Sequence, residues 1–210
     1  MRVVDLSHPL DDRTQVYPGD PAVRVSAARS LERDGYRVSH LHLGSHSGTH
    51  LDAPSHVVAD GATVDELPLH LLVGPAVVVD VRDLGPREPV GWERLAAYAR
   101  PGRMLVLHTG WDRFWGSVRY EDHPYLDGEA AWELVAAGVR TVGIDALSLD
   151  ETHGEDFPAH AALLSAGGVV VENLTNLAAV DHPEPTLSVL PLPLRGCDGS
   201  PVRAVALLPD

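Results

Sequence analysis

The middle of the chain alternates short valine-rich runs with segments of helical character. The runs at 77–79 and 169–171 lack polar alternation, which is typical of strands buried on both faces. Helical patterns stand between the strand-like runs, and each stops before a proline or glycine: 92–99, 128–137 and 158–166. The order strand, helix, strand, helix, strand, helix, strand predicts a layered α/β fold with a mixed sheet.

Further strand-like segments flank this alternating region. The full set of predicted strands is 2–6, 38–43, 76–81, 104–108, 141–144, 169–172, 186–194 and 202–208. The segments near both termini are expected to join the sheet. Because neither a repeat nor a linker interrupts the pattern, we interpret residues 1–210 as a single domain.

Charge and cysteine content exclude several classes of protein. The net charge of −14 disfavours a nucleic acid or an anionic membrane as a partner, since both require clustered Lys and Arg. The lone cysteine, Cys197, cannot form an intrachain disulfide, and no apolar run is long enough to span a membrane. These features predict a cytoplasmic protein that acts on a small molecule.

Histidines are abundant, and three of the 12 fall in the segment HSGTHLDAPSH, residues 46–56. Its glycine and proline break regular structure and predict a shaped loop. Such a loop can aim His46, His50 and Asp52 at one point, and two imidazoles with a carboxylate suit Zn²⁺, Mn²⁺ or Fe²⁺. The alternative interpretation is a histidine-rich surface loop that binds no metal.

The same segment resembles the H-x-G-T-H-x-D-x-P-x-H signature of the cyclase-like metal hydrolases, which include bacterial kynurenine formamidases and isatin hydrolases. Weaker matches to that family follow in the right order along nearly the whole chain. They are DLSHPL (5–10), YPGDP (17–21), LHTGW (107–111), GIDALSLD (143–150), VENL (171–174) and DGSPVRA (198–204). The resemblance implies a swivelling β/β/α domain that forms a homodimer or a larger homo-oligomer.

The resemblance also implies roles for individual residues. The metal ligands it implies are His46, His50, Asp52, His160 and Glu172, with Asp52 bridging two ions, and the catalytic histidine is His56. The residues support one of these assignments independently. Glu172 ends an otherwise apolar strand, where a buried carboxylate requires a cation or a hydrogen-bonding partner. The alternative is that Glu172 meets solvent at the strand end and that His160 is a surface helix residue.

Other aromatic and histidine residues near these motifs have less specific interpretations. Tyr17 occupies a turn where the formamidases carry tryptophan, and we expect it to cover the site and stack on an aromatic substrate. The loop from Trp111 to Trp115 is expected to line a pocket or to enter a dimer interface. His40 and His42 form an H-x-H pair, which also occurs in the metal sites of cupins. Because a cupin is nearly all β and this chain has predicted helices, we interpret the two histidines as wall or interface residues.

These features predict an enzyme with one or two divalent ions per subunit, Zn²⁺ before Mn²⁺. The expected reaction is hydrolysis of N-formylkynurenine or a similar aryl formamide, with His56 as general acid and base beside metal-activated water. Alternatives are ring opening of a cyclic amide or ester, as in isatin hydrolase, and a biosynthetic cyclase or dehydratase. A metal-binding module without activity is the non-enzymatic alternative.

Overall fold

The computed structural model describes residues 1–209 and has the predicted alternation through its middle. Its strands are β1 (Arg2–Asp5), β2 (Arg24–Arg29), β3 (Val38–His42), β4 (His50–Asp52), β5 (Val73–Asp80), β6 (Pro89–Val90), β7 (Met104–His108), β8 (Tyr125–Leu126), β9 (Thr141–Ile144), β10 (Val169–Glu172), β11 (Thr186–Ser188), β12 (Gly199–Pro201) and β13 (Val205–Leu208). Its α-helices are α1 (Leu31–Asp34), α2 (Trp92–Leu95), α3 (Gly128–Ala136) and α4 (Pro158–Ser165). Short 3-10 helices span Pro54–His56, Val64–Glu66, Leu69–Leu71, Trp111–Phe114, Val118–Asp122 and Leu177–Ala179. None of the helices in this part of the chain has the length and apolar character needed to cross a bilayer.

One mixed sheet organises the molecule. Its strand order over residues 1–209 is β1-β13-β11-β5-β7-β9-β10-β4-β12. Strands β5, β7, β9 and β10 run parallel, whereas the pairs toward both edges are antiparallel. The predicted α/β class with a mixed sheet is therefore confirmed, and the terminal segments join the sheet as expected.

The core lies on both faces of this sheet because successive strand residues point to opposite sides. On β7, Leu105 and Leu107 pack with the helices, while Met104 and Val106 belong to the second core. That second core also receives residues of β1, β4, β11 and β13, so the curled ends of the sheet cover the face that the helices leave open. This doubly covered sheet explains why the central strands read as unbroken apolar runs.

Several local predictions were wrong. The helix expected over 92–99 ends at Leu95, and the strand expected over 202–208 begins at Val205. The segment from His50 to Asp52 is strand β4 rather than part of a loop, because β10 and β12 on either side supply its backbone partners. The strand expected over 186–194 ends at Ser188. Prolines 191 and 193 follow, and a proline cannot donate a hydrogen bond to a neighbouring strand.

The loop from Trp111 to Trp115 packs in the hydrophobic core. Trp111 is 1% exposed, packs on the helical side of the sheet and donates from Nε1 to the carbonyl of Arg119. Trp115 stacks on the ring of His8, with the ring centroids 4.0 Å apart. The loop anchors the N-terminal segment, and Trp111 is not among the residues that line the cavity described below.

Candidate metal centre and active site

Strand β4 brings two predicted ligands next to a third. In its antiparallel register with β10, His50 lies directly opposite Glu172. Asp52 follows two residues after His50, so their side chains project from the same face of the strand. His160 approaches the same point from the first turn of α4. Pairing of short strands therefore gathers side chains that are far apart in the sequence.

Four nitrogen–oxygen contacts connect these side chains. The Nε2 atom of His50 lies 3.3 Å from Oδ1 of Asp52 and 3.4 Å from Oε2 of Glu172. The Nε2 atom of His160 lies 3.3 Å from Oδ2 of Asp52 and 3.1 Å from Oε1 of Glu172. All four side chains are buried. Each imidazole thus faces both carboxylates at once.

His46 completes a second group around the same aspartate. Its Nδ1 atom lies 2.6 Å from Oδ1 of Asp52, and its ring meets that of His50 edge-on at 5.1 Å. Asp52 consequently belongs to two sets of potential metal ligands, one with His46 and His50 and one with His160 and Glu172. A carboxylate in this position can bridge two cations.

Hydrogen bonds fix which nitrogen of each buried imidazole faces the centre. The Nδ1–H group of His50 donates to the carbonyl of Gly48 at 2.7 Å. The Nδ1–H group of His160 donates to Oδ2 of Asp150 at 2.7 Å. We assign these tautomers from the partners, which leave Nε2 of both rings toward the carboxylates. This is the arrangement in which imidazoles bind metals in proteins.

Asp150 also holds the start of α4. Its carboxylate accepts hydrogen bonds from the backbone amides of Ala159 and His160 at 2.8 and 2.9 Å. Phe157 occupies the N-cap position without capping the helix through its side chain. Asp150 therefore satisfies amides that a helix otherwise leaves unpaired, and it orients the His160 ring at the same time.

The electrostatics of the group favour a cation. Burial by itself lowers the pKa of His50, but the carboxylates of Asp52 and Glu172 raise it to about 10. Burial raises the pKa of Glu172, yet hydrogen bonds from His160 and His50 outweigh this effect and lower it to about 2. Two buried carboxylates thus require positive charge beside them, supplied by protons or by metal ions.

The residues present fit a divalent metal. The Oδ2 atom of Asp52 is fully buried and accepts no hydrogen bond of acceptable geometry within residues 1–209. A buried carboxylate oxygen that accepts no hydrogen bond is costly, and a metal ion would satisfy it. Imidazole nitrogens with carboxylate oxygens are ligands that suit Zn²⁺ and Mn²⁺.

His56 lies beside this group but outside its carboxylate contacts. It ends the short 3-10 helix after β4, and its ring centroid is 4.1 Å from that of His46 and 6.0 Å from that of His160. Oδ2 of Asp198 is 3.3 Å from Nδ1 of His56 and 2.9 Å from Nε2 of His46. An imidazole is therefore available next to the centre without direct contact with Asp52 or Glu172.

A cavity of about 300 Å³ opens over these histidines. Its walls include four side chains with large apolar surfaces: Tyr17, Val57, Leu147 and Phe157. The hydroxyl of Tyr17 donates to the carbonyl of Thr152 at 2.6 Å, which holds the phenol in the wall. The space and its lining suit an aromatic ring placed beside the candidate metal ligands.

Sequence reasoning missed three polar residues of this site. Asp150 and Asp198 are described above, and Asn173 follows Glu172 with a φ of 56°. The Asn173 side chain donates to the carbonyl of Gly48 and accepts from the hydroxyl of Tyr120. All three lie in segments that the family resemblance covers, yet only the fold brings them to the site.

Comparisons with known proteins agree with this geometry. The Cyclase family model matches residues 4–151. A kynurenine formamidase of Salinibacter ruber is 37% identical over 210 residues, which cover 98% of this chain and 97% of that protein. An isatin hydrolase bound to the product analogue thioisatinate has a TM-score of 0.91 at 26% identity, covering 99% of this chain and 92% of that chain. A potential metal-dependent hydrolase with cyclase activity has a TM-score of 0.82 at 29% identity, covering 98% and 96%.

The chain belongs to the cyclase family, which confirms the resemblance drawn from its motifs. The fold of that family, with its curled mixed sheet, is the one observed here. Within the family, the chain is an arylformamidase-like, metal-dependent amide hydrolase.

Proposed function

We propose that this chain hydrolyses N-formylkynurenine or a similar aryl formamide, yielding formate and the free aryl amine. One observation carries the proposal: an imidazole outside the carboxylate cluster, that of His56, adjoins two metal-type ligand groups at the floor of an aryl-sized cavity. Full-length similarity to a kynurenine formamidase supports the choice of a formamide.

The ligand groups divide between two ions that share one carboxylate. We propose that His46, His50 and Asp52 hold one ion, and that Asp52, His160 and Glu172 hold the other, with Zn²⁺ favoured over Mn²⁺. When bound, a divalent ion lowers the pKa of water and polarises a substrate carbonyl. Four of these five ligands are buried, which keeps their geometry fixed.

His56 is the proposed general acid and base. Its imidazole accepts a proton from water as the water oxygen adds to the formyl carbon. The same imidazole then returns the proton to the aryl nitrogen as the carbon–nitrogen bond breaks, so that protons balance over the reaction. The position of His56 at the cavity, beside the ligand groups, supports this role.

Tyr17 and Phe157 are proposed to flank the aromatic ring of the substrate. Both line the cavity, and Phe157 also meets the His160 ring edge-on with the centroids 6.2 Å apart. Since the Tyr17 hydroxyl is engaged by Thr152, this residue offers the substrate a ring surface.

Ring opening of a cyclic aryl amide is the second candidate. The TM-score of 0.91 with an isatin hydrolase favours it, because the same cavity would accept a fused aryl ring. Both candidates require attack of water on an amide carbonyl, so the substrate is what separates them.

The deciding experiment compares substrates and metals in one design. Protein stripped of metal and reloaded with Zn²⁺ or Mn²⁺ is assayed with N-formylkynurenine, isatin and an aryl ester. We expect a higher kcat/KM for the formamide than for isatin, and no turnover before reloading. Metal-loaded protein that leaves all three substrates intact would support a metal-binding module instead.

Assembly as a homodimer is also proposed, and the β2–β3 hairpin supports it. Every residue of both strands is exposed, including Val25 and Leu41, which face each other across the ribbon. An isolated two-stranded ribbon is only marginally stable in water. Residues 22–43 carry four arginines and two carboxylates, whereas the whole chain has a net charge of −14. A second copy would therefore offer the ribbon an acidic surface.

Charging the apolar pair of the hairpin is expected to separate the protomers. The double variant Val25→Lys, Leu41→Lys places unpaired charge in the proposed interface, so light scattering after size exclusion should report one chain instead of two. The matched control is Ser26→Lys, on the other face of the same ribbon, which should stay dimeric. A wild-type protein that elutes as a single chain contradicts the proposal.

Three expectations from the sequence stay predictions. They are a cytoplasmic location, a single domain over residues 1–210, and no nucleic acid or membrane as partner.

A further inference from the structure

Asp198 is held firmly at the edge of the candidate centre. It immediately precedes β12, whose register pairs Gly199 with Asp52. Its backbone carbonyl accepts a hydrogen bond of 2.8 Å from the amide of Ala53. A side chain on Gly199 would place its Cβ 2.7 Å from Cε1 of His46, so glycine is what permits this close approach. The strand pairing thus fixes the carboxylate relative to the ligand strand.

One oxygen of this carboxylate faces two imidazoles. Oδ2 of Asp198 is 2.9 Å from Nε2 of His46 and 3.3 Å from Nδ1 of His56. A neutral imidazole carries its hydrogen on one nitrogen, and a carboxylate oxygen accepts hydrogen bonds. We assign the hydrogen of His56 to Nδ1 from this partner, which leaves Nε2 of that ring without a hydrogen.

We propose that Asp198 is a positioning residue that fixes the tautomer of His56. By accepting from Nδ1–H of His56, it leaves Nε2 as the only atom of that ring that can take a proton from water. Its second contact, 2.9 Å from Nε2 of His46, fixes the position of this carboxylate relative to the ligand group around Asp52. The proposal rests on the proposed function, because it assigns the atom through which His56 acts.

A purely structural role for this contact is disfavoured by its exposure. The side chains of Asp198 and His56 are 43% and 34% exposed. Exposed ion pairs contribute about 0–1 kcal/mol to folding. Removal of Asp198 should therefore change chemistry and metal affinity much more than it changes stability.

The kinetic test is a double-mutant cycle in zinc-loaded protein at saturating zinc. Asp198→Ala is expected to lower kcat about 10–100-fold with KM little changed, the range seen when a hydrogen-bond partner of a metal-site histidine is lost. In a His56→Ala background the same substitution should lower kcat no further. The matched control, Asp60→Ala, removes an exposed carboxylate and should leave kcat unchanged. Independent losses in the cycle would overturn the proposal.

The second test reads the tautomer directly and does not need turnover. Nitrogen-15 spectra of histidine-labelled, zinc-loaded protein, with the His56 signals assigned from His56→Ala, should show hydrogen on Nδ1 of His56. In Asp198→Ala the hydrogen should move toward Nε2, the preferred position in a histidine side chain free in solution. An unchanged His56 spectrum in that variant would overturn the proposal. Failure of the proposed function would instead show as a wild-type protein without hydrolysis, and the spectra would still test Asp198.

Discussion

Replacing Asp52 by alanine is expected to abolish zinc binding and hydrolysis together. Asp52 is the residue that the two ligand groups share, with one oxygen beside His46 and His50 and the other 3.3 Å from Nε2 of His160. Its removal takes a ligand from each group and leaves only His46 with His50 in one and His160 with Glu172 in the other. We expect kcat/KM to fall by about 10⁴-fold or more, the scale observed when a central catalytic group is removed.

Zinc content and thermal unfolding measure the first half of this prediction. A ligand at about 1,000 times its Kd stabilises a protein by about 4 kcal/mol, which for a chain of this size corresponds to a rise in Tm of about 10 °C. Wild type should show that rise on adding zinc, and Asp52→Ala should show none. Asp60→Ala is the control, since that carboxylate is exposed. Asp52→Ala protein that keeps two zinc ions would contradict the bridging assignment.

The parallel part of the fold was predictable because its signals are local. Strands β7, β9 and β10 have the predicted bounds, and α3 and α4 end within one residue of the predicted helices. Their apolar runs are unbroken because both faces are buried, and glycine marks the end of each helix. The register of the strands and the curl of the sheet are not local properties, since both depend on which segments pair.

The motif identified candidate ligands, but the fold determined how they meet. His46, His50 and Asp52 were predictable from spacing and resemblance, whereas strand β4 was not, because a strand of three residues shows no periodicity. Its pairing with β10 is what sets His50 against Glu172. The carboxylate of Asp150 could not be found by pattern either, because it caps a helix that begins eight residues later.

His56 shows the same dependence on tertiary contacts. In sequence it is the last histidine of a dense motif, and nothing in the spacing distinguishes a ligand from an acid–base group. In the structure it lies next to His46 without contacting Asp52 or Glu172, while Asp198 joins the two rings. Removal of the ring should therefore lower the zinc content if His56 is a ligand and leave it unchanged if His56 is an acid–base group.

His56→Ala is expected to lower kcat by about 10²–10⁴-fold, the range that general acid–base catalysis contributes, while zinc content stays at the wild-type value. Zinc is retained because both ligand groups around Asp52 are complete without His56. Added imidazole should restore part of the activity, and His70→Ala, which removes an exposed ring, should match wild type. Loss of zinc in His56→Ala would contradict the acid–base role, because His56, His46 and Asp198 also lie close enough together to hold a cation. If the variant keeps its zinc and loses turnover, the metal is held by the two ligand groups that share Asp52.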